Sequence, residues 1–228
     1  MKNKLQQLLD ILFPSRCAGC GLRGIELCDR CISTIRPLGP DSCPICGLPS
    51  KLGGLCMACL RREGYLSGIR SACIYEGVAR KAIHHFKYRH RRTLADTLAR
   101  LLDDELQRKP LKVDLLVPVP LHPKRLAERG YNQATLLTER LSERLGIPML
   151  DCLARTKETV SQAKLKAAAR RANVRGIFQC VQGTSLNGQR VGVVDDVCTT
   201  GATLEDCARA LKEAGGGPIW GIVVARDI

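Results

Sequence analysis

From residue 69 onward, apolar residues fall alternately into short continuous runs and into helically spaced sets; before it, short apolar patches are cut by paired cysteines and turn residues. Residues 69–75 predict a first strand. Residues 77–106 predict a helix interrupted near 88–92, with Val78, Ile83, Phe86, Leu94, Leu98, Leu101 and Leu102 as its apolar positions. Residues 113–119 form a second apolar run, closed by Pro118 and Pro120. A helix over 134–145 stops at Gly146-Ile147-Pro148, and residues 186–189 turn the chain into Val191, Gly192, Val193 and Val194. That run suits a strand buried on both faces. Behind it, Leu204, Cys207, Ala208 and Leu211 share one helix face, and residues 218–225 predict a last strand after the Gly215-Gly216-Gly217 stop. Strands alternating with helices imply an α/β fold, an open and mostly parallel sheet flanked by helices, with ligands at the carboxyl ends of the strands.

Composition adjusts this picture in two places. Hydrophobic residues make up 45% of the 228 and support a real core, but aromatics are only 4%, so aliphatic strands and Ala/Leu helices must do the packing. The chain has no apolar stretch long enough to span a bilayer. Its first fourteen residues, MKNKLQQLLDILFP, are broken by Gln6, Gln7 and Asp10. They read as a short amphipathic helix with Leu5, Leu8, Leu9 and Leu12 on one side, stopped at Pro14, rather than as a leader. The expected location is therefore cytoplasmic, where thiols stay reduced and paired cysteines favour metal over disulfides.

Four Cys-x-x-Cys pairs fill residues 17–59: Cys17/Cys20, Cys28/Cys31, Cys43/Cys46 and Cys56/Cys59. Two thiolates three residues apart converge on one tetrahedral ion, so the four pairs predict two Cys₄ sites for structural Zn²⁺, neighbouring pairs sharing a metal. No strand–helix context for a redox pair is visible. The module, placed over residues 1–64 ahead of a domain over 65–228, has too little apolar sequence to fold without metal. Scaffold, nucleic-acid contact and protein docking are all open roles for it.

Net charge is +14. Two Cys₄ zinc sites at about −2 each bring the metallated chain to about +10, which still points to polyanionic partners. The densest cations lie in HHFKYRHRR, where Lys87, Arg89, Arg91 and Arg92 are the candidate nucleic-acid contacts. His84, His85 and His90 have no carboxylate or cysteine beside them in sequence and read poorly as a metal site.

The clearest chemistry is in VGVVDDVCTTGATL, residues 191–204. A buried strand ends on Asp195 and Asp196; Thr199, Thr200, Gly201, Ala202 and Thr203 follow; then a helix begins. A helix N-terminus offers unpaired N–H groups and partial positive charge to a phosphate, the threonines add hydroxyl donors, and Gly201 permits close approach. Two carboxylates suit vicinal sugar hydroxyls or a hydrated Mg²⁺. Upstream, the loop PLHPKRLAERGYNQA carries Lys124, Arg125 and Arg129. Residues 152–178 hold a polar stretch and a basic run in which Arg155, Thr156, Thr159, Gln162, Arg170, Asn173 and Gly176 stand out.

VGVV-DD-VC-TTGAT resembles the 5-phosphoribosyl-1-pyrophosphate (PRPP) motif of type I phosphoribosyltransferases, without departure. The resemblance implies that Asp195 and Asp196 bind the ribose 2′- and 3′-hydroxyls and that Thr199 to Thr203 bind the 5′-phosphate. It also implies a pyrophosphate loop after the first core strand, with Arg125 and Arg129 on the leaving group, and a mobile lid over 152–178. Together with the cysteine pairs, YEGVARKAIHHFKYRHRR, PVPLHPKRLAERGYNQA and ARTKETVSQAKLKAAARRANVRGIF, the chain is similar to the ComF family along nearly its whole length. That similarity implies a type I phosphoribosyltransferase fold with a double zinc ribbon. The protein it implies binds PRPP with Mg²⁺ and single-stranded DNA, and works beside DNA-uptake machinery in natural transformation or DNA utilisation. An active transferase of the amidophosphoribosyltransferase kind, with an unidentified acceptor, is the alternative. A third reading is a sensor in which PRPP alters DNA or partner binding without turnover.

Overall fold

The computed structural model describes residues 15–39, 41–50, 54–60, 64–156 and 176–228. The first three segments form two cysteine knuckles with single-turn helices α1 (Asp29–Ile32) and α2 (Met57–Leu60). The rest runs β1 (Gly68–Ile74), α3 (Gly77–Tyr88), α4 (Leu94–Arg108), β2 (Leu115–Pro118), α5 (Pro123–Arg129), α6 (Gln133–Leu145), β3 (Leu153–Arg155), β4 (Phe178–Cys180), β5 (Val191–Cys198), α7 (Ala202–Glu213) and β6 (Ile219–Arg226). The main sheet has the order β1-β6-β5-β2, every pair parallel. The α/β class read from the alternation of runs is the class observed.

Both faces of this sheet are covered, which is why its central strands read as unbroken apolar runs. On one face, Val194, Ile222 and Val224 pack with Ile83 and Phe86 of α3, Leu98 and Leu102 of α4, and Leu137 and Leu141 of α6. On the other, Val191, Val193 and Val223 pack with Leu204, Cys207 and Leu211 of α7 and with Phe178. Each fully buried aliphatic side chain contributes about 1.5–3 kcal/mol against its exposed state.

The expected break in the long basic helix is real. Arg89 caps α3, and His90 adopts a left-handed φ of 53° before α4 begins. Two expectations need correction. Residues 120–134 contain the two-turn helix α5 rather than only a loop. Pro123 sits in its first turn, His122 Nδ1 accepts from Lys124 N at 3.2 Å, and left-handed Gly130 ends it. Nor does β5 end at its acids: it continues to Cys198, because β6 pairs with it as far as Cys198 opposite Arg226. The sequence also gives no warning of β3 and β4, an antiparallel pair outside the main sheet.

The cysteine module lies along the sheet's exposed edge. Ile69 N of β1 donates to Ile45 O at 2.5 Å and Ile74 N to Arg36 O at 2.9 Å. An open parallel edge is thereby covered. The expected N-terminal helix, and the residues Thr159, Gln162, Arg170 and Asn173 of the expected lid, lie outside the described residues.

Candidate functional site

The eight predicted ligand cysteines gather as two sets, Cys17/Cys20/Cys28/Cys31 and Cys43/Cys46/Cys56/Cys59, within each of which all four sulfurs lie within 4.8 Å of one another. Four sulfurs at about 2.3 Å from a tetrahedral ion stand about 3.8 Å apart. The pairs Cys17–Cys28, Cys20–Cys28 and Cys46–Cys56 are each at 3.7 Å. Both sets therefore fit structural Zn²⁺, and neighbouring pairs share each site. A Cβ on Gly19 would lie 2.6 Å from Cys31 Sγ, so the first knuckle closes only around glycine.

At the carboxyl edge of β5 the two acids diverge. Neighbouring residues of a strand point to opposite faces. Asp196 turns towards α3, where its Oδ1 meets Lys87 Nζ at 2.7 Å. Asp195 opens instead into a small cleft lined by the loop residues Thr199 to Thr203. Its Oδ1 accepts from Asp196 N at 2.8 Å. Burial, then the Asp196 charge, pushes the Asp195 carboxyl up to about 7. Burial works against the Lys87 ammonium, but Asp196 and Asp195 more than offset it, so Lys87 stays a cation above its ordinary range.

The hydroxyl loop turns into α7 through Gly201 at φ 81°, and Ala202 N is held by Thr200 Oγ1 at 3.3 Å. First-turn N–H groups of a helix lack intrahelical partners, so α7 opens on the same cleft with donors. Beneath the loop lies Arg226, only 2% exposed at the end of β6. Its Nη1 donates to Cys198 O at 3.0 Å, to Cys198 Sγ at 2.8 Å and to Thr199 O. Sequence reasoning missed Arg226. The available sign was a single cation closing an otherwise apolar strand.

The remaining candidates scatter. Arg129 is buried under the Tyr88 ring, with its guanidinium 5.1 Å from the ring centre. It also joins Arg92 and Asp196 in the field around Tyr131. Lys124 and Arg125 are exposed on α5, and the Arg125 charge, after burial, lowers the pKa of Arg155. Among the four nucleic-acid candidates, Lys87 is held by Asp196 and Arg91 by Glu26. Arg92 donates to Gly130 O at 2.9 Å and lies 4.8 Å over Tyr131. Arg89 stands exposed beside Tyr88. Lys87, read as a nucleic-acid contact, thus sits instead in the acidic site.

Behind the cleft, Asp206 of α7 accepts from Gly176 N, Ile177 N and Phe178 N at 2.7, 2.8 and 3.0 Å, tying β4 to the helix. Outside the outer strand, a pocket of about 370 Å³ is lined by Leu121, Leu126, Tyr131, Asn132, Asp151 and Leu153, among others. Among the described residues, no helix is long and apolar enough to cross a membrane.

Residues 8–60 match the family model of the Double zinc ribbon domain. The chain is 39% identical over 152 residues to "Competence protein F" of Haemophilus influenzae, covering 63% of this chain and 66% of that protein. It is 31% identical over 201 residues to "DNA utilization protein YhgH" of Escherichia coli O157:H7, covering 85% and 86%. Against "Competence protein ComFC" of Bacillus subtilis, identity is 29% over 200 residues, covering 83% and 79%. Among solved structures it is similar to adenine phosphoribosyltransferase from Thermoanaerobacter pseudethanolicus, at TM-score 0.36 and 17% identity over 57% of this chain and 80% of that one.

Proposed function

The chain belongs to the ComF family of competence and DNA-utilization proteins, and on that premise we propose that it binds PRPP with Mg²⁺ at the carboxyl edge of β5 and single-stranded DNA on the adjoining basic surface. The observation that carries the first half is the cleft shared by Asp195, the Thr199 to Thr203 loop and the start of α7. The Asp195 carboxylate for a sugar hydroxyl and a donor-rich loop for a phosphate line one cleft. In the cleft, the Asp195 carboxylate would hold a water of a hydrated Mg²⁺ arriving with the ligand, and that ion would supply positive charge to the pyrophosphate. Asp195 orients the sugar, Arg226 props the loop carbonyls from below, and Lys87 ties the buried Asp196 to α3.

Net charge supports the second half, since +14 with few aromatics favours sequence-independent, electrostatic binding. A role in competence or DNA use accords with the names of the relatives, and uptake-machinery partners and a cytoplasmic location belong to the same proposal.

Calorimetric titration of PRPP with Mg²⁺ tests the site. Binding by the natural protein and its loss in Asp195→Ala are expected; no binding by the natural protein, or unchanged affinity in the variant, would sink it. The alternative is an active transferase with an unidentified acceptor. Pyrophosphate release from PRPP in the presence of candidate amines and bases separates the two.

A further inference from the structure

We propose that Tyr88 is a base-stacking position, so that a single strand of nucleic acid lies across the mouth of the acidic site with one base on this ring. The inference rests on the single-strand reading above and names the surface that performs it.

Tyr88 ends α3 and is 61% exposed, whereas Phe86, two residues earlier, is fully buried beside Tyr131. Nothing in the core requires an aromatic at 88. The ring is nevertheless held in place. The Arg129 guanidinium backs one face at 5.1 Å, and the His84 ring lies 4.9 Å away, tilted by 46°. Arg129 is itself only 9% exposed, so its charge is fixed beneath the ring rather than spread into solvent. A cation against a π-system orients it, and the 61% exposure of Tyr88 leaves ring surface open to a second flat group. Single-strand sites combine this kind of platform with cations that track the phosphates.

Lys81, His84 and Tyr88 stand at i, i+3 and i+7 of α3 and share one exposed face. Beyond the helix end, Arg89 is exposed, and the left-handed His90 turns the chain away. On the inner side, the residue preceding Tyr88 is Lys87, bonded to Asp196. A base on Tyr88 therefore lies one residue along α3 from the Lys87–Asp196 pair at the carboxyl edge of β5. A duplex keeps its bases stacked on each other and cannot use the ring, so the platform favours a single strand.

The test is fluorescence anisotropy of a labelled oligothymidylate and of a duplex, across a salt series, with PRPP calorimetry alongside. Tyr88→Ala should weaken single-strand binding about 5- to 100-fold, and Tyr88→Phe should stay within about twofold of the natural protein. The salt slope should persist in Tyr88→Ala, whereas Arg89→Ala should lower it by about 0.7. Tm should change little in Tyr88→Ala, since the side chain is outside the core, and PRPP affinity should fall far less than single-strand affinity. If the natural protein binds the oligonucleotide and Tyr88→Ala binds it equally well, the platform is wrong and the single-strand reading stands. If the natural protein binds no oligonucleotide at any salt, both fail. A Tyr88→Ala variant that loses DNA, PRPP and Tm together overturns the platform in favour of a structural role.

Discussion

Lys87 and Asp196 meet across the carboxyl edge of the sheet, Nζ to Oδ1 2.7 Å, with side chains 21% and 6% exposed. The pair joins α3 to β5 and is the single cation-to-carboxylate link into the acidic site among the described residues. Removing one partner of a buried pair costs more than the pair itself contributes, because the other charge stays buried. Lys87→Met should therefore lower stability by about 3 kcal/mol in urea unfolding, with Asp196→Asn costing less. A Lys87→Met loss below about 0.5 kcal/mol would mean that water already screens the pair.

Asp195 supplies a pH dependence of definite sign. Burial and the Asp196 charge hold its carboxyl up at about 7. An unfolded Asp titrates near 3.9, so between about pH 4 and pH 7 the unfolded chain has released a proton that the folded one retains. Stability in the absence of ligand therefore falls as pH rises through that window. Asp195→Asn carries no such proton, and its Tm should decline less than that of the natural protein from about pH 5 to about pH 8. Parallel Tm–pH curves for the two proteins would refute the assignment.

The two zinc sites should differ in what they hold up. Cys17, Cys28 and Cys31 belong to the same core as Ala79, Ala82 and Ile83 of α3. Cys43, Cys46 and Cys59 form a small cluster of their own with Ile45 and Leu48 packed on it. Cys31→Ser should cost one zinc by elemental analysis and lower the global Tm on the order of 10 °C. Cys59→Ser should also cost one zinc but act locally, with a clearly smaller shift. Equal shifts would show that the second knuckle is as much a part of the fold as the first.

What could be read in the sequence was whatever is local. Four Cys-x-x-Cys pairs, an apolar run into Asp195-Asp196 and a threonine loop before a helical pattern each declare themselves within about fifteen residues. What could not be read depends on partners far along the chain. Asp195 and Asp196 look like a matched pair, yet β6 keeps them in strand geometry and sends them to opposite faces. Lys87 looks like part of a basic stripe because Asp196 lies more than a hundred residues away. β3 and β4 are three residues each, too short to carry a period. Arg226 acts on Cys198 and Thr199 only because the two strands are neighbours in the sheet.

Asp206 illustrates the same dependence and permits a sharper test. It sits in the first turns of α7, 5% exposed, and accepts from the consecutive backbone N–H groups of Gly176, Ile177 and Phe178 that lead into β4. Arg209 Nε also donates to it at 2.9 Å, while Arg209 Nη2 reaches Phe178 O at 2.7 Å. Burial opposes its charge, but the Arg209 and backbone hydrogen bonds outweigh burial and hold its carboxyl below the usual range. A depressed carboxyl contributes stability above its unfolded value and loses it as pH falls through the folded one. Asp206→Ala leaves the three N–H groups without their acceptor, at about 1–3 kcal/mol for each group left unsatisfied. Asp206→Asn keeps one acceptor oxygen and should fall between the variant and the natural protein. Hydrogen exchange at Ile177 and Phe178 reads the result directly: both amides should exchange faster in Asp206→Ala than in the natural protein, and the acid limb of stability below about pH 4 should flatten. Unchanged protection at those two amides would show that β3 and α7 hold β4 without the carboxylate.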